Sequence, residues 1–199
     1  MYEGNHQIDN PDNEWTPDAV ERLFIFCQFD RAMPYEKVVA SYEYLESKNM
    51  LSFRALRNLL SAGHVPLDEN LVSLLRDAKL RFPVQTAKFL NYNINVFSGR
   101  TLLEMNRDEI AEECMGFGYK LASMFCNRVH GSQYAIIDVH IDRFLKENGC
   151  TARSYHEKEK FFIKLARQRG VTPDQLDWEV WNSSRIGNKK EEEKHENMC

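Results

Sequence analysis

Cap residues, prolines and glycines cut this chain into apolar-periodic segments at helical spacing, and no segment sustains the period-2 alternation of β-branched residues that a strand requires. That punctuation restricts the fold to an all-α architecture. Thr16-Pro17-Asp18 places a capping hydroxyl, a proline and an early acid ahead of Val20, Leu23, Phe24 and Cys27, an i, i+3, i+4, i+7 stripe. Further helices are expected from Tyr35 to Ser47, Ser52 to Ser61, Leu67 to Ala78 and, after the break at Pro83, from about Val84 to Phe97. Asn106 and Glu109 form a capping-box pattern that opens a short helix to about Cys114, and a second helix begins near Lys120. Asp138 caps another helix that ends at Gly149, one more runs from about His156 to Arg169, and Thr172-Pro173-Asp174 opens a last one. From Gly187 onward the chain is nearly devoid of apolar residues, and 189–199 reads as a disordered charged tail.

At 199 residues and 43% apolar content the chain can fill a real core. The expected organisation is one functional domain over 1–188 with two helical lobes around a cleft, the first from about 35–149, the second from 15–34 with 150–188. No apolar run is long enough to span a bilayer, and the acidic start lacks the parts of a signal peptide, so a soluble intracellular monomer without membrane contact is expected. Cys27, Cys114, Cys126, Cys150 and Cys199 are scattered and contain no CxxC pair, which suggests buried thiols and neither a disulfide framework nor a metal site. No metal and no organic cofactor is expected.

The net charge of −4 conceals a strong asymmetry. Residues 1–30 carry one basic and seven acidic side chains, 31–115 carry eleven of each, 116–170 carry ten basic and five acidic, and 171–199 carry four basic and seven acidic. Salt screening limits charge effects to about 10 Å, so the local excess over 116–170, and not the whole-chain sum, decides whether phosphates are attracted there.

That basic stretch begins at a distinctive joint, Met115-Gly116-Phe117-Gly118-Tyr119, set between two helices. Glycines let a backbone approach a phosphate closely and adopt positive φ, and the N–H groups that open the next helix point outward at the anion. Such a turn grips DNA without reading its sequence. The same turn also serves as an ordinary joint between helices. Lys120 follows Gly118 by two residues, in the first turn of a helix whose macrodipole works against a protonated amine. A neutral amine there is a nucleophile, and a protonated one is a plain surface charge. Asp138 likewise reads either as a simple N-cap or as a carboxylate in chemistry. Together the two supply what attack on a nucleoside C1′ needs, a nucleophile and an acid that stabilises oxocarbenium character. The apolar link Tyr134 to Ile137 would hold that arrangement firm.

GFGYKLASMF, followed eighteen residues after its lysine by the aspartate of AIIDVHIDRFLKENG, resembles the hairpin, catalytic lysine and catalytic aspartate of the helix-hairpin-helix (HhH-GPD) DNA glycosylases. Within that superfamily LRFPVQTAKFL (80–90) and LDWEVW (176–181) look most like the small archaeal-type 8-oxoguanine DNA glycosylase/lyases. The likeness covers about residues 20–187. It implies two all-helical lobes around a DNA cleft, and base-excision repair of an oxidised purine in double-stranded DNA by a bifunctional glycosylase and AP lyase. It further implies that Gly116, Gly118 and Tyr119 hold a phosphate, that Lys120 attacks the sugar and forms a Schiff base, and that Asp138 activates it. Gln28, Asp177 and Trp181 become candidates for the base pocket, while Trp178 reads as core. The cysteine pattern of the iron-sulfur branch of the superfamily is absent from the sequence. Two other readings remain at this stage: a glycosylase for another lesion, such as an oxidised pyrimidine or uracil, and a non-catalytic DNA-binding module.

Overall fold

A computed structural model of the chain describes residues 15–60, 68–131 and 134–183. Among the described residues every regular element is helical. The helices are α1 (Pro17–Phe29), α2 (Tyr35–Ser47), α3 (Phe53–Leu59), α4 (Glu69–Asp77), α5 (Pro83–Val96), α6 (Gly99–Glu104), α7 (Arg107–Glu113), α8 (Tyr119–His130), α9 (Val139–Glu147), α10 (Tyr155–Arg169) and α11 (173–183). The expected charged tail and the residues from Ser184 on lie outside the described residues. Of the described helices none is long and apolar enough to cross a membrane.

The chain divides into two compact units, one ending at His130 and one beginning at Gly131. The first is organised around α1. Its sequence was read as a single apolar stripe, yet Ile25, Phe26 and Phe29 are buried as well as Val20, Leu23, Phe24 and Cys27. A helix that is apolar on every face needs neighbours all round. It has them in α2, α5, α6 and α8. Residues 15–34 pack in the unit that contains the hairpin, and 134–149 fall in the other.

Charge also ties α1 to its neighbours. Glu21 is buried on α1, and its two carboxylate oxygens accept the N–H of Phe53 at 2.8 Å and of Gly99 at 3.2 Å. Those are the first residues of α3 and α6, where backbone donors lack helical partners and helix dipoles favour an anion. Helix α6 was not foreseen: it is six residues long, too short for periodicity, and is set by Ser98, whose hydroxyl accepts from Thr101 N–H at 3.2 Å.

Helices α9, α10 and α11 form the second unit. Ile141 and Leu145 of α9 pack with Phe162 and Ala166 of α10 and with Leu176 and Val180 of α11, and Ala135 and Cys150 close the cluster. The capping box expected at Asn106 is present, and Ser154 with Glu157 makes another ahead of α10. The cysteines behave as buried thiols: Cys27, Cys114, Cys126 and Cys150 are free and buried. Burial pushes Cys114 up to about 12 and Cys126 up to about 11, which keeps both protonated and unreactive. Cys199 lies outside the described residues.

Candidate active site and hairpin

The hairpin is the joint between α7 and α8, and the side chains behind it explain its shape. Cys114 N–H closes the end of α7 on Ile110 O at 3.1 Å, and Phe117 N–H turns back to Cys114 O at 3.1 Å. Gly116 lies at φ 84°, the left-handed region that glycine adopts without steric cost. An added Cβ there would meet Phe89 at 2.3 Å and Gln28 at 2.7 Å, so glycine is required for space as well as for conformation. Gly118 faces the other way, with nothing within 4 Å of its would-be Cβ. One glycine therefore fits the turn to the protein, and the other leaves open the surface beside the α8 N-terminus.

Asn93 of α5 braces the turn from beneath. Its amide donates to Met115 O at 2.9 Å and its carbonyl accepts Met115 N–H at 2.8 Å, a two-point clamp on one residue of the hairpin. The same amide reaches Gln28 Oε1 at 3.0 Å. Gln28 is fully buried, and its Nε2 has no hydrogen-bond partner. The residue singled out as a pocket candidate thus stands under the hairpin in the free protein. Nothing in the sequence distinguishes Asn93 or Phe89, because a buried asparagine looks like any other polar residue on a helix until its partners are known.

Phe117, between the two glycines, points inward and stacks on Phe24 of α1 with ring centroids 4.3 Å apart and planes 17° from parallel. Phe24 also meets Phe53 and, edge-on, Phe125 of α8 at 6.1 Å. The hairpin is thereby fastened to the central helix by an aromatic cluster. Tyr119 opens α8, and the Arg107 guanidinium lies over its ring at 5.4 Å.

Lys120 is the second residue of α8 and is half-buried. Its Nζ lies 2.7 Å from Oδ2 of Asp30, the residue that ends α1. This partner was not anticipated; the only sequence signal was an acid placed immediately after an unbroken apolar run. Beside it, Arg31 stacks on Phe89 at 4.6 Å and donates to Gln85 at 3.3 Å. The first unit thus brings Gln28, Gly116, Gly118, Tyr119 and Lys120 together.

The second unit holds the other candidates. Asp138 caps α9: its Oδ1 accepts both His140 N–H and Ile141 N–H at 2.9 Å, so the cap uses one oxygen of the carboxylate. The apolar link before it is anchored by Tyr155, whose hydroxyl donates to Ala135 O at 2.9 Å and accepts Ile137 N–H at 3.1 Å. On α11, Asp177 and Trp181 are one turn apart and half-buried. Trp178 was expected in the core and is instead 41% exposed; Leu176 and Val180 fill the core from that helix.

An all-helical chain with a Gly-x-Gly hairpin, a lysine at the start of the following helix and an aspartate capping the next has the arrangement of a helix-hairpin-helix DNA glycosylase. The 8-oxoguanine DNA glycosylase family pattern (Ogg-HhH) matches residues 45–171, and the chain belongs to that family. An 8-oxoguanine DNA glycosylase/AP lyase of Thermoplasma volcanium is 27% identical over 146 residues, 63% of this chain and 68% of that protein. One of Aquifex aeolicus is 42% identical over 69 residues, a stretch that spans 30% of its length. Among solved structures, the 8-oxoguanine DNA glycosylase of Thermotoga maritima superposes with a TM-score of 0.67 at 20% identity, covering 87% of this chain and 83% of that one. The Methanocaldococcus jannaschii 8-oxoguanine glycosylase/lyase, solved with DNA containing 8-oxoguanine, gives 0.66 at 18% identity over 88% and 84%. The two structures share this chain's fold.

Proposed function

We propose that this protein excises 8-oxoguanine from duplex DNA and then cleaves the strand at the abasic site by β-elimination. The observation that carries the reading is the position of Lys120 at the start of α8, immediately after a glycine hairpin, inside a segment matched by the 8-oxoguanine DNA glycosylase family. The homologues named for both activities support the bifunctional assignment.

In this reading the hairpin grips a phosphate through backbone N–H groups while the damaged nucleotide is turned out of the stack. Lys120 Nζ then attacks C1′ as the glycosidic bond breaks, and the base departs with the bonding electron pair and a proton. Opening of the sugar ring leaves a Schiff base on Lys120. Loss of a C2′ proton expels the 3′ phosphate and cuts the strand. To Asp138, whose second carboxylate oxygen is not used by the cap, we assign the stabilisation of the positive charge that develops on the sugar. Asp177 and Trp181 are the proposed contacts to the extruded base, and Gln28, buried beneath the hairpin, is proposed to support the turn from below.

Borohydride trapping tests the assignment, because a Schiff base is reducible to a stable cross-link. The wild-type protein is expected to become covalently attached to a duplex carrying 8-oxoguanine, and Lys120→Gln to lose both the cross-link and strand cleavage. A cross-link of wild-type yield from Lys120→Gln would remove Lys120 as the nucleophile. Equal processing of duplexes with uracil or an oxidised pyrimidine would remove the substrate assignment.

A further inference from the structure

The contact between Lys120 Nζ and Asp30 Oδ2 at 2.7 Å is partly buried at the edge of the first unit. Asp30 terminates α1 and Lys120 begins α8, and the two helices are fixed to one another by Phe24 of α1 against Phe117 and Phe125. Neither end of the pair is a loose surface side chain: Lys120 is 32% exposed and Asp30 23%. Both are sheltered from most solvent, yet open enough for a substrate atom to approach.

The placement runs against what a stabilising ion pair would choose. An acid is favoured at a helix N-terminus and a base at a C-terminus, where each opposes the partial charge of the backbone. Here the carboxylate is at the C-terminal end of α1 and the ammonium at the N-terminal end of α8. Each helix works against the charge on its own residue, and both effects diminish when the proton moves from nitrogen to oxygen.

We propose that Asp30 is a second catalytic carboxylate, which takes the proton that Lys120 must lose before it attacks. This rests on Lys120 being the nucleophile. Transfer across the 2.7 Å contact converts ammonium and carboxylate into amine and carboxylic acid. Substrate that excludes water from the pair favours the neutral products, because desolvation penalises both charges. The free electron pair on Nζ then forms the bond to C1′, and the glycosidic bond breaks with its electrons on the base. The base takes one proton from the new secondary ammonium. As the nitrogen electron pair makes the C=N bond, the C1′–O4′ bond opens, and O4′ takes back the proton stored on Asp30. The lysine's three protons end on the base, on O4′ and on the iminium nitrogen, and Asp30 returns as a carboxylate beside the iminium cation.

The test compares Asp30→Asn, Asp30→Ala and Lys120→Gln with the wild type, using excess enzyme on a duplex with one 8-oxoguanine and measuring base release, borohydride cross-linking, duplex affinity and melting. Asp30→Asn is expected to slow base release and cross-linking by about 10²-fold, the lower range for a positioned acid-base group, at unchanged duplex affinity and melting. Formate added to Asp30→Ala is expected to restore part of the rate, since a free carboxylate can enter the vacated space. Wild-type or faster base release by Asp30→Asn overturns the proposal. So does a rate loss matched by an equal loss of affinity, or a failure of formate to rescue. Cross-linking that survives Lys120→Gln would sink the nucleophile itself, a result separate from any seen at Asp30.

Discussion

The two hairpin glycines should respond to alanine in opposite ways. At Gly116 the backbone sits at φ 84°, where an L side chain costs roughly 1–2 kcal/mol. The new methyl would lie 2.3 Å from the Phe89 ring and 2.7 Å from Gln28 Nε2, and forcing an extra carbon into a packed site costs about 1–3 kcal/mol more. Gly116→Ala should therefore lose about 2–5 kcal/mol, which for a chain of this size is a melting decrease of about 4–20 °C. Gly118 is not among the positive-φ residues and has no atom within 4 Å of its would-be Cβ. Gly118→Ala should leave stability unchanged or raise it by up to about 1 kcal/mol, through the unfolded chain. It should nevertheless weaken binding to duplexes with and without the lesion equally, because the methyl stands where the proposed phosphate contact is made and a phosphate contact carries no base information. Calorimetric melting and duplex titration separate the two effects. A Gly116→Ala protein that melts with the wild type would refute the packing argument, and a Gly118→Ala loss confined to damaged DNA would place the hairpin in the base pocket.

Asp138→Asn should keep the α9 cap, since one oxygen accepts both N–H groups and asparagine retains one, and cost only tenths of a kcal/mol in stability. Its single-turnover base release should fall on the order of 10²-fold, and near-normal release would demote Asp138 to a cap. Asn93→Leu removes three hydrogen bonds from the underside of the hairpin and should destabilise the protein by at least about 2 kcal/mol in denaturant melts; a neutral result would mean that the clamp is dispensable. Hydrogen bonds from Lys146 and then Lys158 hold the Asp142 carboxyl below the usual carboxylate range. That contribution is present above the ordinary carboxylate value and is lost as pH falls through the depressed one. Asp142→Asn should therefore melt below the wild type at pH 7, with the gap closing in acid; a gap independent of pH would assign the loss to something other than charge.

What the sequence revealed and what it concealed follow from the range of the interactions. Helix starts depend on a few adjacent residues, so the Asn106 capping box, the proline-led α5 and the Asp138 cap could be read locally. The glycine joint and the position of Lys120 in the first turn of α8 were also legible, because a positive-φ turn and a helix start both leave marks within ten residues. Contacts made at long separation were not. Asp30 lies 90 residues from Lys120 and Asn93 lies 22 from Met115, and neither pairing has a signature in composition or period. The central place of α1 in its unit was hidden for a related reason. A helix apolar on one face can join either unit, whereas one apolar on all faces must be central, and the count of buried positions on α1 became known only with its neighbours in place.

The three groups proposed for acid-base chemistry share a structural logic. Asp30 ends α1, Lys120 begins α8 and Asp138 precedes α9, all at helix termini where the backbone leaves side chains a preformed electrostatic setting. Asp138 stands at the end that suits its charge and takes two N–H donors. That setting suits a carboxylate proposed to stabilise a sugar cation. Lys120 and Asp30 stand at ends that oppose their charges, which suits groups that must exchange a proton and then recover it. On this reading the polarity of each terminus matches the task of its residue. Exchanging Lys120 and Asp30 for one another would test the logic directly: it would relieve both dipole conflicts and should raise the melting temperature if the pair still forms. The same exchange should abolish base release, because the amine would then leave from α1 and no longer follow the hairpin proposed to hold the phosphate.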